Sequence, residues 1–193
     1  MKTTLLIIVL AVGVLVVLYF MLIGNFHKPM PEVVKLEKPV RLIGLEINTS
    51  DKAIYKDVEK VATAFHNIKK KNPVPNLKQP WASVNVSRDY DKAKGTFTYI
   101  VGDVVTKVDT IPEGLSAYEI PAGMYAVFPV RPKSKIAWGI AMGRMKRFIY
   151  TEWLPASGYD ASEIIYDFEL HDERSLSKHP EIQLYVALKE KEE

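Results

Sequence analysis

Alternating apolar and polar residues near the C-terminus, at positions 164–171, predict a β-strand. Successive side chains of a strand point to opposite faces. Phe168 and its alternate neighbours form an apolar face, whereas Asp167, Glu169 and His171 form a polar one. We therefore expect the apolar face to pack in a core and Glu169 to lie on the other side of the sheet.

The rest of the apolar pattern predicts two similar halves, each a strand followed by an amphipathic helix and two strands. Residues 97–103 align with residues 166–172, which supports a repeat. We predict an α+β domain of two β-α-β-β repeats with pseudo-two-fold symmetry. Its antiparallel sheet would carry two helices on one side and leave a ligand cleft on the other. The predicted elements are strands at 39–47, 81–86, 96–105, 123–130, 164–171 and 181–188, with helices at 54–71 and 135–153.

An uncharged apolar run at residues 5–24 predicts a membrane anchor. At 1.5 Å per residue it is long enough for a hydrocarbon core of about 30 Å. It is longer than the apolar region of a signal peptide, about 7–15 residues, and has no small-residue cleavage site. We thus assign residues 1–24 to a transmembrane helix, 25–39 to a proline-containing tether and 40–189 to the folded domain. The side of the membrane on which this domain lies is left open.

Composition excludes several kinds of chemistry. The chain has no cysteine, so disulfides, thiolate metal sites and a cysteine nucleophile are excluded. A net charge of +3, spread along the chain, does not favour a nucleic-acid partner. The acidic and histidine residues at 171–179 lack the spacing of a metal site, and no glycine loop for a phosphate is present. We expect neither a metal nor a cofactor.

Three residues are predicted to share the cleft face. In the last strand, Leu184 and its alternate neighbours form a core face, which would place Tyr185 on the side of Glu169. Trp81 falls on the same side by alternation. Each aromatic residue, taken singly, is more commonly a packing residue. A carboxylate ringed by aromatic side chains nevertheless suits a flat or cationic organic molecule.

Short motifs at residues 120–128, 152–159 and 167–169, supported by residues 99–102 and 111–115, are similar to a known family. The chain resembles the GyrI-like effector-binding domain of AraC- and MerR-type bacterial regulators from about residue 40 to 189. This resemblance implies two β-α-β-β units around a cleft, in which the glutamate at Glu169 contacts hydrophobic, often cationic, compounds. It also implies a pocket tyrosine at Tyr185, and Trp138 is the candidate for a pocket residue on the helix.

Three functions remain open. The first is a membrane-tethered domain that binds a hydrophobic or cationic organic compound and, with no helix-turn-helix before it in this sequence, has no DNA-binding domain. The alternative is a hydrolase in which Glu169 and Tyr185 act on a small hydrophobic electrophile, since apolar walls would raise the pKa of Glu169. A role in binding a protein partner is disfavoured by the anchor.

Overall fold

β-Strands are the most abundant regular structure in the computed structural model, which describes residues 12–14, 26–132, 137–162, 165 and 167–191. The strands are β1 (Glu32–Leu36), β2 (Val40–Ser50), β3 (Ser83–Asp91), β4 (Thr96–Val105), β5 (Ser116–Ile120), β6 (Gly123–Val130), β7 (Tyr159–Ala161), β8 (Asp167–His171) and β9 (Ile182–Glu190). The α-helices are α1 (Ile54–Lys71), α2 (Trp138–Phe148) and the short α3 (Leu154–Ala156). A π-helix (Ile149–Trp153) joins α2 to α3, and a 3-10 helix (Glu173–Leu176) precedes β9.

The strands form one antiparallel sheet in the order β1-β6-β9-β8-β3-β4-β2-β5, with β7 paired to β9. This order is symmetric about the central pair, β8 and β3, so that β9 corresponds to β4 and β6 to β2. The predicted α+β antiparallel fold is confirmed. The alignment of residues 97–103 with residues 166–172 is wrong, because β4 corresponds to β9 by position in the sheet and not to β8.

The two long helices lie on the same face of this sheet. Helix α1 buries Val61 and Phe65 against β2 and β4, as its apolar spacing predicts. Its last turn carries lysines at 69, 70 and 71, whose positive charges interact favourably with the negative end of the helix dipole. Helix α2 buries Met145 and Phe148 against β6 and β9. Each half of the sheet is therefore covered by its own helix.

The face without helices is also buried. Phe168 is 2% exposed and packs with Tyr125 and Tyr185, and the rings of Phe168 and Tyr185 are stacked at 4.4 Å. Residues of the edge strands β1 and β5 belong to the same apolar cluster as those of central strand β3, so the sheet curves over this face. The prediction that Phe168 faces the helices, with an open cleft opposite them, is wrong, because curvature supplies this second core.

A pair of glycines allows the close contact of β2 with β4. Gly44 lies opposite Gly102 in the ladder. A Cβ atom on Gly44 would lie 2.4 Å from the carbonyl oxygen of Val101 and 2.7 Å from the Cα of Gly102. Any side chain there would therefore push the two strands apart. Glycine in a strand interior commonly marks such a close approach of two backbones.

The segment predicted as a tether, residues 25–39, contributes strand β1, which pairs with β6. Phe26 packs edge-on against Phe148 with 6.0 Å between ring centroids, and Lys28 Nζ lies 2.5 Å from Glu152. This segment is thus part of the folded domain from about Phe26 onward. The predicted anchor lies almost entirely outside the described residues. Within them, no helix is both long and apolar enough to cross a membrane.

We expect Gly44→Ala to lower the free energy of unfolding by about 1–3 kcal/mol, the usual cost of inserting an atom into a filled interior. Chemical denaturation of the purified protein measures this. Gly158→Ala is the matched control, because a Cβ atom there meets nothing within 4 Å. Equal stability of the two variants would contradict the close approach of β2 and β4.

Candidate functional site

A polar strip runs along the two central strands on the helix side of the sheet. In β8 it consists of Asp167, Glu169 and His171, and each faces a polar residue of β3 across the ladder. Ser87 is opposite Asp167, Asn85 is opposite Glu169, and Ser83 is opposite His171. All six lie where the sheet passes between the two helices. The strip therefore forms the floor of the gap between α1 and α2.

Helix α2 supplies a cation to this strip. Lys146 Nζ lies 2.9 Å from Asp167 Oδ1 and 4.0 Å from Glu169 Oε1. Tyr150, one turn further along, donates a hydrogen bond of 3.1 Å to Asp167 Oδ2. Burial by itself lowers the pKa of Lys146, but the charges of Asp167 and Glu169 outweigh burial and raise it. Lys146 is therefore held in its charged form between two carboxylates.

Glu169 has polar partners on both sides. Asn85 Nδ2 donates to Glu169 Oε2 at 3.2 Å, and His171 Nε2 lies 3.5 Å from the same oxygen. Burial by itself raises the pKa of Glu169. The hydrogen bond to His171 and the charge of Lys146 outweigh this effect, with a smaller contribution from Asn85, so the pKa is lowered. The expectation of a raised pKa among apolar walls is wrong, because these walls are polar.

Aromatic residues border the polar strip. Trp138, at the start of α2, lies 6.3 Å from the His171 ring. Tyr99 of β4 is 3% exposed and hydrogen-bonds to Asn85. Burial, followed by the negative charges of Glu169 and Asp167, raises its pKa well above the usual value. Tyr99 is therefore a neutral hydroxyl under physiological conditions.

A groove of about 470 Å³ lies between Tyr55, near the N-terminus of α1, and one side of α2. Its lining residues are Tyr55, Gly139, Ile140, Gly143, Arg144 and Arg147. The Tyr55 ring crosses to α2, where a Cβ atom on Gly139 would lie 3.3 Å from it and one on Gly143 would lie 2.7 Å from its hydroxyl. Tyr55 thus bridges α1 and α2. On the floor of the gap, only 12% of the Glu169 side chain is exposed.

The structure brings together two of the four residues predicted for ligand binding. Glu169 and Trp138 share His171 as a neighbour. Tyr185 lies on the opposite face, because it is opposite Phe168 in the ladder, whereas Glu169 is opposite Leu184. Its hydroxyl donates to Gln183 Oε1 at 3.2 Å. Trp81 is partly buried and precedes β3, outside the partners of Glu169 described above.

This register separates Tyr185 from Glu169, the two residues on which the hydrolase hypothesis depends. Tyr185 and Glu169 project from opposite sides of one sheet, so the two side chains cannot act on the same substrate atom. Among the described residues, no group of acidic and histidine side chains is arranged to hold a metal ion.

Several residues around the polar strip were not predicted from the sequence. Lys146 and Tyr150 are four residues apart on α2 and both contact Asp167. Their spacing is the available signal, since residues at this separation share a helix face. Asn85 could be found only through its register with Glu169, and Tyr55 only through the packing of the two helices.

A family model described as Cass2, an integron-associated effector binding protein, matches residues 32–188. The match begins at the first residue of β1 and includes every element described above except the last residues of β9. No protein with curated annotation matches the chain closely enough to be counted as a relative.

Solved structures share the fold at low sequence identity. An integron cassette protein of the mobile metagenome of Vibrio cholerae, VCH_CASS2, is 12% identical with a TM-score of 0.58, over 83% of this chain and 96% of that one. SAV2435, solved with tetraphenylphosphonium bound, is 11% identical with a TM-score of 0.63, over 83% and 94%. EcmrR, solved in a DNA complex, is 12% identical with a TM-score of 0.59, but only 57% of its chain is covered.

We predict that the stabilising effect of Glu169 is lost in acid. A folded-state pKa below the unfolded value of about 4.3 means that the ionised carboxylate contributes stability above that pH. This contribution disappears as the pH falls through the folded-state pKa. The free energy of unfolding of the wild type, minus that of Glu169→Gln, should therefore decrease between about pH 5 and pH 3.

Urea denaturation at each pH measures this difference. Glu113→Gln is the control, because it removes an exposed carboxylate from a loop. A difference between wild type and Glu169→Gln that does not vary with pH would contradict the polar environment described for Glu169.

Proposed function

Because the chain belongs to the Cass2 family of integron-associated effector binding proteins, we propose that its effector is a hydrophobic organic cation held between the two helices. The domain is a small-molecule-binding domain of the GyrI-like type. The nature of the ligand and the residues that contact it are our inference from the geometry of the polar strip.

The observation that carries this proposal is the ionised carboxylate of Glu169 at the centre of the sheet. Asp167 and Lys146 form the closer ion pair, at 2.9 Å, and thereby neutralise each other. Glu169 is left with hydrogen bonds and a more distant ammonium group. The two carboxylates of Asp167 and Glu169 and the single ammonium group of Lys146 together carry one net negative charge. A partly buried charge of this kind attracts a single positive charge in a site of low dielectric constant.

The surroundings of Glu169 suit a cation with apolar substituents. The rings of Trp138 and Tyr55 and the side chain of Ile140 lie on the helices that flank the strip. Aromatic faces attract organic cations and also provide apolar area. SAV2435, which shares the fold, was solved with tetraphenylphosphonium, a cation with four phenyl groups. This makes tetraphenylphosphonium the natural first probe for the present chain.

We also propose that residues 5–24 anchor the domain to a membrane. The support is the sequence: this run has no charged residue and has the length of a bilayer core. It would place the cleft close to the bilayer, where hydrophobic cations accumulate because of their apolar substituents. Hydrophobic compounds that partition into the membrane would then be the first ligands that the domain meets.

Replacing Glu169 with Gln should weaken tetraphenylphosphonium binding by roughly 2–5 kcal/mol, because the charge is lost while shape and hydrogen bonding remain. Triphenylphosphine oxide, a neutral aromatic analogue, should bind both proteins alike. Isothermal titration calorimetry measures both affinities. Tyr185→Phe serves as a control on the opposite sheet face and should bind the cation as the wild type does. Equal cation affinity of the wild type and Glu169→Gln would refute the assigned role of Glu169.

The full chain should sediment with membranes and resist extraction by alkaline carbonate, whereas a chain that starts at residue 26 should remain in the supernatant. The reason is the apolar length of residues 5–24, which is too costly to expose to water. Mass spectrometry of the mature N-terminus provides the second measurement. A mature chain that begins near Asn25 would show that the run is a cleaved signal peptide and would refute the anchor.

A further inference from the structure

We propose that Lys146 is an internal competitor for the cationic effector, and that a bound cation displaces its ammonium group from Glu169. This inference rests on the proposed function and specifies what limits affinity at the same site. Lys146 Nζ lies 4.0 Å from Glu169 Oε1 on the helix side of the strip, which is the side from which a ligand between the helices would approach.

Electrostatic repulsion disfavours the presence of the Lys146 ammonium and a cationic ligand beside Glu169 at the same time. An organic cation in contact with Glu169 would lie within about 6 Å of the Lys146 ammonium. At an effective dielectric constant of about 20, two like charges at this distance disfavour binding by at least about tenfold. The charge of Lys146 cannot easily be removed by loss of its proton, because Asp167 and Glu169 raise its pKa. Repulsion is therefore relieved by movement of the side chain.

The structure gives Lys146 a means to move. Its stem has four flexible carbons, and 28% of the side chain is exposed. Arg147, the next residue of α2, lines the groove beside Tyr55, so this turn of α2 borders the groove. The ammonium group can turn away from Glu169, its more distant partner, while it stays paired with Asp167, which also accepts a hydrogen bond from Tyr150. The cation then replaces the positive charge that Lys146 withdraws from Glu169.

The decisive variant removes Lys146 together with the charge of its closer partner. In Lys146→Met/Asp167→Asn the cluster keeps the single net negative charge of the wild type, on Glu169. A general effect of net charge would therefore leave the cation affinity unchanged. Competition by Lys146 instead predicts about tenfold tighter binding of tetraphenylphosphonium by the double variant. Adding Glu169→Gln to the double variant should abolish the gain.

The chain offers a closely matched control in Lys69 and Asp103. Lys69 Nζ of α1 lies 2.8 Å from the Asp103 carboxylate, with side-chain exposures of 29% and 2%, compared with 28% and 1% for Lys146 and Asp167. Asp103 is on β4, opposite Ser83, and is not among the partners of Glu169 described above. Lys69→Met/Asp103→Asn therefore removes an equivalent ion pair without removing a neighbour of Glu169. It should bind tetraphenylphosphonium with wild-type affinity.

A second measurement uses the unaltered full chain and does not depend on the folding of a variant. Reductive methylation with quantification by mass spectrometry reports the accessibility of each lysine. Saturating tetraphenylphosphonium should increase the methylation of Lys146 and leave that of Lys69 unchanged. A ligand that simply covered the site would protect Lys146, and this result would overturn the displacement.

The outcomes separate this inference from the proposed function. If Glu169→Gln weakens cation binding but Lys146→Met/Asp167→Asn binds as the wild type does, the internal competitor is refuted and the proposed function stands. If the wild type and all variants fail to bind tetraphenylphosphonium, both are refuted. Tighter binding by the Lys146 double variant alone, with Glu169 required for the gain, establishes the competitor.

Discussion

Two carboxylates under one helix are the constraint around which this domain is built. Asp167 and Glu169 emerge from the same face of β8 into a gap that water barely enters. Buried charges are stable only when they are paired and hydrogen-bonded. Helix α2 meets this requirement for Asp167 with Lys146 and Tyr150, and β3 meets it for Glu169 with Asn85. The positions of α2 and β3 relative to β8 are thus tied to these charges.

The symmetry of the sheet explains why the gap is there at all. Each half packs its helix over its own strands, through apolar clusters whose fully buried members do not include residues of β3 or β8. The central strands are left between the helices, where polar side chains can be tolerated. Where the two central strands pair, only β8 carries carboxylates, because β3 contributes Ser83, Asn85 and Ser87 there. The sheet is therefore symmetric in its strand order, but the negative charge that faces a ligand in the gap lies on one central strand, β8.

The periodicity of the sequence predicts the elements, but not how the faces of the sheet are used. Alternation correctly separated Glu169 from Phe168 and Tyr185 from Leu184 within their own strands. The prediction placed the apolar face of β8, with Phe168, and the apolar face of β9, with Leu184, on the same side of the sheet. In the structure Leu184 is opposite Glu169, so the two apolar faces lie on opposite sides. A register shift of one residue is enough to cause this difference, because it moves every side chain of a strand to the other face. Sequence also could not show that curvature buries the second face. Strands β1 and β5 are short edge strands of five residues each, with too few positions to establish a period.

The central pairing of β3 with β8 also has a consequence for the order of assembly. Asn85 and Glu169 are 84 residues apart in the chain, and β1 pairs with β6 across a similar separation. Contacts between such distant segments form late and slowly, because their loop-closure entropy must be lost first. During synthesis, β3 emerges from the ribosome well before its partner β8. The ligand site is then among the last features to form, and only a chain synthesised through β8 can possess it.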